Sequence, residues 1–235
     1  MKKIIYGLAI VLTGCSPIYY TPTSQNVTMF TQGGQTNLNL SGNSNRVEFM
    51  GAHALTQHWA IQGNGGLFIP KSHENENGGS GNYVEAGLGY YTVVNENFVF
   101  ESYGQVGYGG VENHFPSTVN DNPGTTGKIQ ANLFRYGIQP AFGWRSTYFS
   151  VALSSRFAGL SYTNVQGSLV FDNEDQVAYL NEHDTHFLVE PALTLRGGLK
   201  KIKLQVQVGR SFNVTKQDFR QDKALLTVGL NFNFE

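Results

Sequence analysis

Leu226-Thr227-Val228-Gly229-Leu230-Asn231-Phe232-Asn233-Phe234 decides how this chain is read. Its even positions are apolar or aromatic, and its odd positions are Thr, Gly or Asn. A period of two is the mark of an extended strand with one face in an apolar medium and the other in a polar one. The same alternation recurs upstream. Phe134-Tyr136-Ile138-Pro140-Phe142-Trp144 alternate with Arg135-Gly137-Gln139-Ala141-Gly143, and Phe187-Val189-Pro191-Leu193-Leu195 alternate with Glu190-Ala192-Thr194-Arg196. Ile202-Leu204-Val206-Val208 alternate with Lys203-Gln205-Gln207-Gly209, and Phe98-Phe100-Ser102-Gly104-Val106-Tyr108 with Val99-Glu101-Tyr103-Gln105. No helical period is sustained beyond about residue 33.

A soluble sandwich also alternates, so three further features choose between it and a membrane barrel. The strands are long, at about 10 or more residues against the usual 5–6. Aromatics recur toward the strand ends of the apolar face, as in an interfacial girdle. The connections alternate between short turns, at Thr56-Gln57-His58, Val94-Asn95-Glu96, Arg145-Ser146-Thr147 and Gly197-Gly198-Leu199, and long polar loops at 71–82, 112–127, 163–184 and 213–222. That asymmetry is the pattern of outer-membrane barrels, whose periplasmic turns are short. Strands are expected near 34–41, 45–55, 59–70, 82–93, 97–111, 129–145, 147–162, 185–197, 200–212 and 223–234. The fold class is therefore all-β: a closed, antiparallel, up-and-down transmembrane β-barrel of about ten strands, with eight to ten compatible with the pattern.

Composition agrees. Among 235 residues there are 28 Gly, 16 Phe and 12 Tyr, while only 14% are charged, against about 25% in soluble domains. Sixteen basic and 17 acidic residues give a net charge of −1, so no basic field points to nucleic acid. One cysteine excludes an intramolecular disulfide and any cysteine-based zinc cluster.

That cysteine has another use. Met1-Lys2-Lys3 is a short basic start, Ile4 to Leu12 is apolar, and Thr13-Gly14-Cys15 follows. These are the parts of a secretory signal peptide, and the apolar run is too short to span a bilayer. Leu12-Thr13-Gly14-Cys15 also resembles the bacterial lipobox, which implies cleavage before Cys15 and acyl chains on it, palmitate among them. The expected division is residues 1–14 as signal peptide, 15–32 as a lipidated periplasmic tether, and 33–235 as the barrel. Ser16-Pro17-Ile18-Tyr19-Tyr20 contains no acid, so it lacks the signal that follows the lipidated Cys in surface lipoproteins of Bacteroidetes-type bacteria. By that resemblance the anchor sits in the periplasmic leaflet, on the side where an even-stranded barrel would place both chain ends.

With aromatic faces toward lipid, the opposite set points into the lumen. It holds Arg46, Glu48, Glu85, Glu101, Arg135, Arg156, Glu190, Arg196 and Lys203. Charges of both signs in a narrow space will pair, since an unpaired buried charge is costly. Glu101 and Arg135 lie on consecutive strands and are expected to meet. A barrel of this size is largely filled by side chains, although a selective channel is the sharper alternative.

Catalytic groupings are sparse. Glu182-His183-Asp184-Thr185-His186 offers two imidazoles and two carboxylates, but not at the spacing of a helical zinc motif. His73, His114, His183, Asp172 and Asp175 are rim groups of the kind that barrel proteases of the omptin family use, with no spacing that identifies them. Loop 163–184 carries five carboxylates without Lys or Arg and reads as a solvated surface loop. No cofactor, catalytic set or metal site is assigned.

Several segments together resemble a Bacteroidetes family of outer-membrane β-barrel lipoproteins. They are Tyr20-Thr21-Pro22, Asn26-Val27, His58-Trp59-Ala60-Ile61, Glu85-Ala86-Gly87-Leu88-Gly89-Tyr90 and Phe100-Glu101-Ser102-Tyr103-Gly104. Arg135-Tyr136-Gly137-Ile138-Gln139-Pro140, Phe187-Leu188-Val189-Glu190-Pro191-Ala192 and Ile202-Lys203-Leu204-Gln205-Val206-Gln207 complete the set. The resemblance implies a non-enzymatic membrane protein. The expected role is accessory or structural, in contact with outer-membrane lipid and other outer-membrane proteins of an envelope complex. A narrow pore for small polar solutes is the alternative, and a surface-loop hydrolase the third reading.

Overall fold

The computed structural model describes residues 16–69, 78–116 and 124–235. Cys15, the signal segment 1–14 and His73 lie outside the described residues.

Ten antiparallel strands close into a barrel. They are β1 (Thr36–Asn43), β2 (Arg46–Ala54), β3 (Trp59–Phe68), β4 (Gly78–Val93), β5 (Phe98–Phe115), β6 (Gly127–Arg145), β7 (Phe149–Gly167), β8 (Thr185–Gly198), β9 (Ile202–Arg210) and β10 (Ala224–Phe234). Each pairs with its sequence neighbours, and β1 closes the ring on β10 from Thr36↔Phe234 to Gly42↔Val228. Closure leaves no sheet edge with unpaired backbone, which is what a hydrocarbon surrounding requires. Outside, Val47, Phe49, Ile61, Leu67, Val84, Leu88, Tyr136, Ile138, Leu153, Leu204 and Leu230 are all exposed. Inside, most of the intervening positions are polar, small or charged, apart from an apolar cluster at the long-loop end and single residues such as Met50 and Val99. That inversion, apolar outside and polar inside, suits a barrel set in lipid.

β4, β5 and β7 are longer than the alternation indicated, because their outer ends run on as Gly-rich or polar strand beyond the lipid-facing pattern. Loop 163–184 also differs. It is a folded cap, not a solvated loop. After β7, Val170–Phe171 and Glu174–Asp175 form a two-residue ladder around Asp172 and Asn173, which both have positive φ (56° and 64°), the conformation a tight hairpin turn needs. Helix α1 (Gln176–Glu182) follows, its N-terminus capped by the Asp175 carboxylate, which accepts from the Val177 and Ala178 amides. Leu169 and Leu180 are fully buried, and Tyr179 stacks on Phe219 at 6.3 Å. The cap thus covers the long-loop end of the barrel with an apolar cluster that includes Tyr19, Phe115, Leu160 and Tyr162. Its carboxylate Glu174 is paired with Arg220 at 3.0 Å.

Candidate functional site: the occupied lumen

The expectation of a periplasmic tether over 15–32 is corrected. Residues 19–30 run through the lumen, and all but the half-buried Thr21 are buried. Their path is fixed at both ends. Ile18 exchanges hydrogen bonds with the Asn113 side chain, and the Tyr19 amide donates to the Arg220 carbonyl, both at the long-loop end. Phe30 packs among Ala52, Ala54, Ala60, Tyr91 and Tyr103 near the short turns, from which β1 starts at Thr36. The segment therefore begins at the long-loop end and descends to the short-turn end. The expectation that both chain ends emerge on the short-turn side does not hold for the N-terminal segment. Residues 18–30 can span about 40 Å when extended, more than the roughly 25 Å apolar band of such barrels.

A buried segment without strand partners leaves its amides and carbonyls in need of hydrogen bonds. Apart from a single bridge at Tyr20, the wall supplies them through side chains. Carboxylates take the N–H groups: Glu48 accepts from the Ser24 amide at 3.2 Å, and Glu101 accepts from the Thr28 and Met29 amides, each at 2.8 Å. Guanidinium groups take the carbonyls. Arg46 donates to Pro22, Arg156 to Ser24 (3.1 Å), Arg196 to Val27 (2.5 Å) and Arg145 to Met29 (2.6 Å). Amides fill the gaps: Gln207 donates to the Gln25 carbonyl and accepts from its amide, while Gln139 donates to the Asn26 carbonyl. Charged partners make such bonds worth about 1.5–3 kcal/mol each. This is a second reason for charge in the lumen, beyond pairing between wall residues.

The wall also pairs with itself. Arg156 meets Glu190 at 3.2 Å, directly opposite it on β7 and β8. Arg135 meets Glu85 at 2.8 Å, and its remaining donors reach the Tyr20 hydroxyl and Thr23 Oγ1, each at 3.0 Å. The expected Glu101–Arg135 pair does not form. On β5, Glu101 is six residues from Gly107, the residue opposite both Glu85 and Arg135. Gly107 has no side chain, so Glu85 and Arg135 meet across it. Glu48, Glu85, Glu101, Arg135, Arg156, Glu190, Arg196 and Lys203 are all buried inside the barrel, and all but Lys203 are joined through the segment or through one another. Sequence reasoning missed Arg145, which it took for a turn residue.

Shape matches as well as charge. Gly143 faces Met29: a Cβ there would lie 2.5 Å from Met29 Cε and 2.8 Å from Ala152 Cβ. Met29 itself adopts φ 53°, rare for a side chain of its size.

The rim groups do not assemble into a catalytic set. His186 is buried, with Nε2 2.9 Å from the His183 carbonyl, Nδ1 3.0 Å from Asn213 Nδ2, and its ring 3.9 Å from that of Phe219. Asp172 forms a turn, Asp175 caps α1, and His114 is exposed on β5. Among the described residues no three His, Cys, Asp or Glu side chains converge as metal ligands.

No protein-family model matches the chain, and no curated protein is similar to it. Among solved structures it is similar to the KdgM porin, with 9% identity and TM-score 0.37 over 86% of this chain and 99% of that one. The NanC porin gives 10% identity and TM-score 0.38 over 86% and 98%. LpxR from Salmonella typhimurium gives 8% and 0.37 over 86% and 99%.

Proposed function

We propose that this protein is an outer-membrane lipoprotein barrel sealed by its own N-terminal segment, with a structural or accessory role and no enzymatic one. One observation carries the reading: residues 19–30 fill the lumen, and side chains on eight of the ten strands hold them there. An interior this extensively bonded favours a closed state, since opening it would break many charge-assisted hydrogen bonds of one network at once. The sequence resemblance to Bacteroidetes outer-membrane barrel lipoproteins supports the same role.

Acyl chains on Cys15 would attach one residue before Ser16, at the long-loop end. If short turns face the periplasm, that end is the cell surface. The threaded path therefore favours an outward-facing anchor over the periplasmic one, with the missing acidic signal the only argument against it.

Planar-bilayer recording tests the sealed state. The full chain is expected to stay silent, and deletion of residues 19–30 to produce steady conductance steps. Steady steps from the intact chain would overturn the reading and favour a narrow solute pore. That second reading draws on the cavities flanking the segment, about 190 Å³ at the long-loop end and about 480 Å³ at the short-turn end.

A further inference from the structure

The cavity at the short-turn end is chemically distinct from the rest of the lumen. Five cations line it, Arg145, Arg196, Lys200, Lys201 and Lys203, against two carboxylates, Glu96 and Glu235. Glu235 is engaged by Lys200 at 3.1 Å. The lumenal carboxylate that acts on Arg196, Glu101, is already committed to the amides of Thr28 and Met29 and the Thr28 hydroxyl. Elsewhere in the lumen Arg135 and Arg156 each hydrogen-bond a carboxylate. Here, among the described residues, Arg145 and Arg196 donate to neutral oxygens of Met29, Val27 and Gln205, with Glu235 and Glu101 acting on them only through space.

Lys203 is the telling residue. It projects inward from β9, it is only 7% exposed, and among the described residues its ammonium has neither a hydrogen bond nor an ion pair. The ammonium borders the cavity instead of the packed wall, so beside Arg145 and Arg196 it is a cation that an entering anion can reach. Thr31, Ser146, Thr147, Ser150, Asn231 and Asn233 surround the same space with neutral donors. Its volume of about 480 Å³ lies within the range of small-ligand sites.

We infer that this cavity is a binding site for a phosphate-type oxyanion, with Lys203 as its central cation and Arg145 and Arg196 presenting their free guanidinium donors. Planar guanidinium groups suit two-point contact with such an anion, and an ammonium acts as a point charge beside them. The phosphate could be free in solution or carried on a lipid headgroup reaching the rim, because Lys200, Lys201 and Phe234 place the cavity mouth at the barrel edge.

The test uses the full chain in detergent, with inorganic phosphate titrated against chloride at constant ionic strength. Phosphate is expected to raise the unfolding midpoint saturably, with apparent affinity about tenfold or more weaker in Lys203→Gln and recovered in Lys203→Arg. A parallel series in bicelles compares phosphatidylglycerol with phosphatidylcholine. A Lys203-dependent response to phosphatidylglycerol, without one to inorganic phosphate, supports the site and identifies the source as a headgroup. Phosphorus NMR of the wild-type protein reads the site without any variant, as exchange broadening of phosphate that sulfate relieves. Absence of that broadening together with no response to phosphatidylglycerol overturns the proposal, as does a response unchanged in Lys203→Gln.

Discussion

Arg135 Nη2 lies 2.8 Å from Glu85 Oε2 although two strand positions separate them, because Gly107 between them carries no side chain. Both partners are buried, and the same guanidinium also holds Tyr20 and Thr23 of the threaded segment. Arg135→Leu therefore strands Glu85 and loosens the upper half of the segment together. Removing one member of a buried pair costs about 3–5 kcal/mol. The variant is expected to unfold at lower denaturant concentration and to lose heat-modifiable migration at lower temperature. Unchanged unfolding would show that the pair does not hold the barrel.

Gly143 tests the fit of the segment by shape instead of charge. In Gly143→Val the added carbons meet both Met29 and Ala152. The Val151 carbonyl also lies 2.9 Å away, so Met29 and the neighbouring β7 wall must both give, at a cost of about 1–3 kcal/mol or more. Hydrogen exchange should rise at the amides of Thr28 and Met29. Gly104→Ala is the control, since a Cβ there meets nothing nearer than Leu88 O at 3.8 Å, and its exchange is expected to match the wild type.

Orientation of the N-terminus is read on intact cells. With a sequence-specific protease site placed between Ser16 and Pro17, added protease should remove the residues before the site from outside and lower the mass of the recovered barrel accordingly. Protection in intact cells, with cleavage only after lysis, would place that end in the periplasm.

Strand positions were legible because a period of two survives whatever fills the lumen. Leu226–Phe234 and Phe134–Trp144 needed only the difference between lipid and a polar interior. The threaded segment was not legible, for a physical reason. Tyr20 to Phe30 has no period, and its hydrogen bonds go to side chains distant in sequence, such as Glu101 and Arg196. The pairing of Glu85 with Arg135 was hidden likewise, since it depends on register across three strands and on the bare Gly107 between them. Inward charges could be read as a set, but not their assignment to the peptide groups of another segment. The cap over 168–183 was masked by its acids, two of which serve as helix cap and ion-pair partner.

The closure of β1 on β10 carries a consequence for biogenesis. The threaded segment leads into β1 at the short-turn end, while its other end lies across the full height of the wall. Once that seam has zipped, the segment cannot be drawn through a passage packed with Tyr83, Tyr103, Arg135 and Arg156, least of all with the acyl chains proposed for Cys15. The segment must lie in place while the wall is still an open sheet, so the barrel is wound around its own leader and the last seam locks it in.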